Sequence, residues 1–145
     1  MSTRSTYKFE DILEKDGNLF FTNVGFSMYP LIKEREDILH IQKSDVYTRG
    51  DIILYKTSDG RYILHRIIKI KKDTLITAGD YNYFLDKPID RSMVLGILIS
   101  IKKKDGHIII LKKDKKIRRF FYTYFIYIRM PIQYVLAKLH LRKIK

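Results

Sequence analysis

The sequence predicts a mainly β protein: an antiparallel sheet coiled into a partly open barrel or sandwich, with helices only near the ends of the chain. Three observations carry that prediction. Short runs rich in Ile, Leu, Tyr and Phe, each bounded by Gly, Asp, Asn or Lys clusters, recur between residues 18 and 113. An Asp59-Gly60 pair stands between two of these runs, the strongest short-range hairpin signal a sequence offers. Helical periodicity is confined to the first 17 and the last 29 residues.

The elements follow in order. "YKFEDILEKDG" has apolar residues at 9, 12 and 13 and a glycine at 17, which predicts a short amphipathic helix with a glycine stop. The runs "NLFFTNVGF", "DILHIQ", "GDIILYKT", "RYILHRIIKI", "TLITAG", "MVLGILISI" and "HIIILKK" predict seven strands. The Asp59-Gly60 turn pairs strand 51–57 with strand 61–70. From Ile117 the texture changes to "IRRFFYTYFIYIRMPIQYVLAKLHLRKIK", a basic, aromatic segment of helical character. The expected organisation is one folded domain over 1–116 and a tail over 117–145.

At 145 residues the chain is long enough for one domain with a proper core. An apolar content of 46%, with 11 Tyr and 8 Phe, excludes wholesale disorder. With no cysteine, disulfides and cysteine-based metal sites are absent. The first residues hold no apolar run of signal-peptide length, because Lys8, Glu10, Asp11, Glu14 and Lys15 interrupt it. The expected location is therefore cytoplasmic or peripheral at a membrane, with no secretion signal.

A net charge of +13 draws the chain to polyanions, either nucleic acid or an anionic bilayer. The first 60 residues are nearly balanced, and much of the excess lies after Ile101. In the tail, Arg129 and Pro131 interrupt the uncharged run 120–128. A charge near a helix centre costs about 2.5 to 3.5 kcal/mol on insertion, so spanning is disfavoured. A helix lying in the interface fits better, with its aromatic residues at headgroup level and Arg118, Arg119, Lys138, Arg142, Lys143 and Lys145 facing anionic lipid. That composition favours a membrane surface over nucleic acid as partner. Packing of the tail on the sheet or on a second subunit is the competing expectation, and the sequence sets no oligomeric state.

The chemistry turns on "GFSMYP", residues 25–30. Serine is a weak nucleophile at neutral pH, so Ser27 needs a base. Of the four histidines, His107 follows a Lys-Asp-Gly turn and His140 sits in the tail, while His40 lies in "DILHIQ". His65 stands mid-strand, on the face shared by Ile63 and Ile67, a half-apolar setting in which desolvation can keep an imidazole neutral and available as a base. Such a base needs an acceptor on its second nitrogen, and "TAGDYNYFLDKPID" offers Asp80, Asp86 and Asp90. Residue types alone leave the choice among the three open.

The four boxes "GFSMYP", "GDIILY", "HRI" and "GDYNYFLD" resemble, in the same order, the motif boxes of the signal peptidase I family over roughly residues 20–99. The resemblance implies a coiled antiparallel sheet with Ser27 as nucleophile beside Met28. His65, followed by Arg66, matches the histidine-base subtype of endoplasmic-reticulum and archaeal members. Asp86, six places after the Asp of the "GD" box, would complete the site, with Asp80 ordering the loop. An extended substrate would add to the strand before the serine, near Phe21, Asn23, Gly25 and Phe26. The implied activity is serine endopeptidase cleavage of a leader or signal segment from a small precursor, with no metal and no cofactor. The chain departs from the family in lacking an amino-terminal anchor and in reading "TAGDYN" at its last box. Two other readings compete: a self-cleaving repressor-type peptidase, disfavoured because only 26 residues precede Ser27, and a non-catalytic basic module binding nucleic acid or membrane.

Overall fold

In the computed structural model, which describes residues 7–111, 127–132 and 134–140, the predicted first helix forms as α1 (Phe9–Asp16) and stops at Gly17. Its buried face carries Leu13, and Phe9 lies 5.0 Å from the Phe21 ring and 4.6 Å from the Tyr62 ring, centroid to centroid. Glu10 fastens the helix to the sheet, accepting hydrogen bonds from Lys56 Nζ and from the Tyr62 hydroxyl.

Eight antiparallel strands follow: β1 (Asn18–Thr22), β2 (Ile38–Gln42), β3 (Ile52–Lys56), β4 (Tyr62–Ile70), β5 (Thr74–Ala78), β6 (Ile89–Asp90), β7 (Val94–Lys102) and β8 (Ile108–Ile110). They form one sheet curled into a half-barrel, in the order β1-β2-β7-β3-β4-β5-β6, with β8 also paired to β7. Seven of these strands match the predicted runs, and β6 is the addition. It has only two residues, too short to show alternation. The first predicted strand ends at Thr22 rather than continuing to Phe26, because the chain from Asn23 turns away from β2 to build the Ser27 loop. The Asp59-Gly60 hairpin forms as expected and pairs Lys56 with Tyr62 and Ile52 with Arg66.

Strand alternation sorts the core into two layers. Ile52, Leu54 and Leu64 join Leu39, Ile41, Leu98 and Ile101 on one side, where Leu13, Met28 and Ile32 also pack. Ile53 and Tyr55 join Ile67, Leu75, Ile89 and Ile97 on the other. β3 is buried on both faces, which explains its continuous apolar run.

At the carboxyl end, residues 127–132 and 134–140 are helical, and the expected domain boundary near 116 lies outside the described residues. Among the described residues no helix is long and apolar enough to cross a membrane.

The Glu10 clamp makes a pH prediction. Hydrogen bonds from Lys56 first, then Tyr62, hold the Glu10 carboxyl down from its ordinary 4.5 to about 2. A group whose pKa is depressed by folding adds stability that is full above the unfolded value and is lost as pH falls through the folded one. Wild type should therefore melt above Glu10→Gln near pH 7, by a margin limited by solvent screening of this surface pair. The margin should shrink below about pH 4.5 and close near pH 2, as followed by thermal melts across that range.

Candidate active site

The Ser27 loop begins where β1 ends. Gly25 has φ of +109° with open space around the missing Cβ, so glycine is needed there for its backbone conformation. Asn23 ties the turn from both groups: its Nδ2 donates to Gly25 O at 3.2 Å and its carbonyl accepts from Arg35 N at 2.9 Å. Met28 is fully buried in the first core layer, and Ile32 N donates to Met28 O at 3.0 Å. Burying a side chain of this size stabilises by about 1.5 to 3 kcal/mol, enough to seat the loop. Ser27 beside it is half-buried.

Gly79 serves a different need. A Cβ built there would meet Ser27 O at 2.6 Å and both Ser27 Cβ and Asn82 Nδ2 at 2.9 Å. Glycine is required here for space. Tyr81 N–H then donates to Ser27 O at 2.7 Å and locks the two loops together. The β4–β5 register pairs Ile67 with Thr77 and Arg66 with Ala78. Gly79 directly follows Ala78, the last β5 residue paired to β4, and His65 directly precedes Arg66, the partner of Ala78. Ser27 occupies the space of the missing Gly79 side chain.

His65 is buried, and its Nδ1 donates to Asp86 Oδ2 at 2.6 Å. The carboxylate has no proton to give, so this contact places the imidazole proton on Nδ1 and leaves Nε2 as the basic nitrogen. Thr77 Oγ1 donates to the same oxygen at 2.7 Å, and the Tyr55 hydroxyl approaches Asp86 Oδ2 at 3.4 Å and Thr77 Oγ1 at 3.3 Å. Burial, reinforced by the Asp86 charge, pushes the Tyr55 phenol up to about 12, so it remains protonated and a donor. Asp86 N–H donates to Thr77 O at 2.9 Å, fixing the acid relative to β5. No hydrogen bond joins Ser27 Oγ to His65 Nε2, and the Ser27 N–H has no partner among the described residues.

Arg66, the next residue, turns to the opposite face. Its Nε and Nη2 clamp both oxygens of Asp80, the first at 2.8 Å, and Nη1 donates to Gly50 O at 3.0 Å. With Arg66 and Asp80 side chains 8% and 9% exposed, the pair is sealed from water. It fastens the loop after β5 to the loop before β3.

The three acids that the sequence left open are thus separated. Asp86 meets His65, Asp80 meets Arg66, and Asp90 is exposed and accepts from Ser92 N at 2.8 Å, capping the short turn Arg91–Met93. His107 and His140 are exposed, and His40 Nε2 donates to Asn18 Oδ1 at 2.8 Å while the ring stacks on Phe20. Of the four residues expected to face substrate, Asn23, Gly25 and Phe26 lie in the Ser27 loop, with Phe26 64% exposed. Phe21 instead packs toward α1 and the first core layer, because alternation along β1 places Phe20 outside and Phe21 against Phe9. Tyr55 and Thr77 escaped the sequence reading as site residues. Thr77, a hydroxyl in the apolar run "LITA", was the available signal.

Among the described residues no cluster of three metal-ligating side chains occurs. The arrangement is a histidine oriented by a carboxylate, with a serine on a tight turn seated on Gly79. No family model and no curated protein matches the chain.

Two outcomes are expected from this geometry. Gly79→Ala should displace the Ser27 turn and lower stability by about 1 to 3 kcal/mol by denaturant melts. Arg66→Met should cost about 3 to 5 kcal/mol by leaving Asp80 buried and unpaired, whereas the double change Arg66→Met with Asp80→Leu should recover most of that loss.

Proposed function

We propose that this protein is a serine endopeptidase resembling the histidine-base signal peptidases, cleaving a leader or signal segment from a small precursor. The observations that carry the reading are the Asp86-held His65 on β4 and the seating of Ser27 on Gly79, just past the end of the paired strand β5. An extended peptide adds along the open edge of β1 and meets the Ser27 loop, where Phe26 and Val24 offer exposed apolar surface.

Ser27 Oγ attacks the scissile carbonyl carbon as His65 Nε2 takes its proton, and Asp86 stabilises the imidazolium that forms. The Ser27 N–H, which has no hydrogen-bond partner among the described residues, donates to the developing oxyanion. The tetrahedral adduct collapses, His65 protonates the departing amine, and the acyl ester remains on Ser27. Water then attacks the ester with His65 again as base, releasing the acid. The basic, aromatic carboxyl segment holds the enzyme at an anionic membrane surface, with Tyr127, Ile132, Tyr134, Val135, Leu136 and Leu139 exposed for the interface.

The test is mass spectrometry of a pool of synthetic precursor peptides with small residues before the candidate bond, with anionic vesicles present. Wild type should cut at defined positions. Ser27→Ala and His65→Ala should lose at least about 10³-fold in rate, and Asp86→Asn a comparable factor, while remaining folded. His107→Ala should cleave like wild type. An intact pool with wild type, or cleavage that survives Ser27→Ala, would overturn the reading.

A further inference from the structure

We propose that Arg129, on the carboxyl-terminal helix, is a positioning residue for Ser27 that acts through Tyr81. The consequence for turnover rests on the peptidase reading, and the contact itself does not. Arg129 is 48 residues from Tyr81 in sequence, yet its guanidinium carbon lies 5.2 Å from the centre of the Tyr81 ring. A guanidinium over an aromatic face is held by the ring quadrupole, and more strongly when partly desolvated. Arg129 is half-buried: burial pulls its pKa below the ordinary value, and the neighbouring charge of Asp80 opposes that pull.

Tyr81 is the link. Its backbone N–H donates to Ser27 O at 2.7 Å, and its ring makes an edge contact with Tyr29 at 5.6 Å, two residues beyond the serine. The residue before it is Asp80, clamped by buried Arg66. One side of the Tyr81 turn is therefore fixed by the sheet. Tyr81 as a whole is 49% exposed, and among the described residues its ring meets Tyr29 and the Arg129 guanidinium. Removing the guanidinium frees the ring, loosens the Tyr81 turn and with it the carbonyl of Ser27. A shift of the nucleophile's backbone changes its attack geometry, to which the chemical step is sensitive, more than it changes peptide binding along β1.

The test compares full-length wild type, Arg129→Gln and Arg129→Lys by amide hydrogen exchange and by turnover of the same peptide pool. Arg129→Gln should speed exchange at the Tyr81 amide by about fivefold and lower kcat by about the same factor, with KM unchanged. Exchange at Ile53, in the core, should not move. Arg129→Lys, which keeps the charge but loses the planar stack, should fall between. In a Tyr81→Ala background, Arg129→Gln should add nothing further, because the two changes remove one contact. Unchanged exchange at Tyr81 in Arg129→Gln, or faster exchange with unchanged turnover, overturns the proposal. Faster exchange in a protein whose wild type cleaves nothing upholds the contact and sinks the peptidase reading instead.

Discussion

The candidate site hangs on one close approach, the seating of the Ser27 turn on the bare α-carbon of Gly79. A single methyl group there would stand 2.6 Å from Ser27 O, well inside contact distance. Because the space is empty, a loop that leaves the sheet at Thr22 can return across the end of β5, and Tyr81 N–H can reach the serine carbonyl. Met28, locked in the core one residue later, gives the loop a fixed depth. The position of the serine is thus set by two non-local contacts of opposite kind. One is a side chain that must be present, and the other is a side chain that must be absent.

Beside that seat, neighbouring residues on β4 hold two carboxylates with different tasks. Alternation turns His65 to the layer of Ile53 and Ile67, and Arg66 to the layer of Ile52 and Leu64. The acidic loop from Gly79 to Asp86 rounds the end of the sheet and delivers one carboxylate to each face. Asp86 gathers donors from His65 and Thr77, with Tyr55 behind them, so the imidazole is oriented by a carboxylate that is itself immobilised. Asp80 is spent on Arg66, and this buried bidentate pair fixes loop geometry more than it adds net stability, since both charges must leave water to form it.

The carboxyl segment has another character. Residues 112–145 hold eleven Lys and Arg against one acid, Asp114, so most of the excess charge of the chain resides there. Its described helical residues expose Tyr, Ile, Val and Leu rather than burying them, in contrast to α1, which turns Leu13 and Phe9 inward. On the proposed reading, apolar burial and charge attraction would act together where this segment meets an anionic interface.

Much of the sheet was legible because strand character is local: apolar runs, their Gly and Asp boundaries, and the Asp59-Gly60 turn all express neighbours along the chain. The same locality placed His65 on the face of Ile63 and Ile67, since alternation needs no knowledge of partners. It failed where the determinant was distant or the element short. The two-residue β6 carries no alternation to read, and beyond Thr22 the chain turns at Gly25 toward a Met28 buried among residues distant in sequence. By itself the sequence determined the residue types of the candidate site, their order and the strands that bear them. Only the tertiary structure decided which of Asp80, Asp86 and Asp90 meets His65, that Gly79 is a seat for Ser27, and that Arg129 reaches Tyr81. The physical reason is that register and loop return bring these groups together across 21 to 52 residues of chain, a distance over which neither propensity nor period carries information.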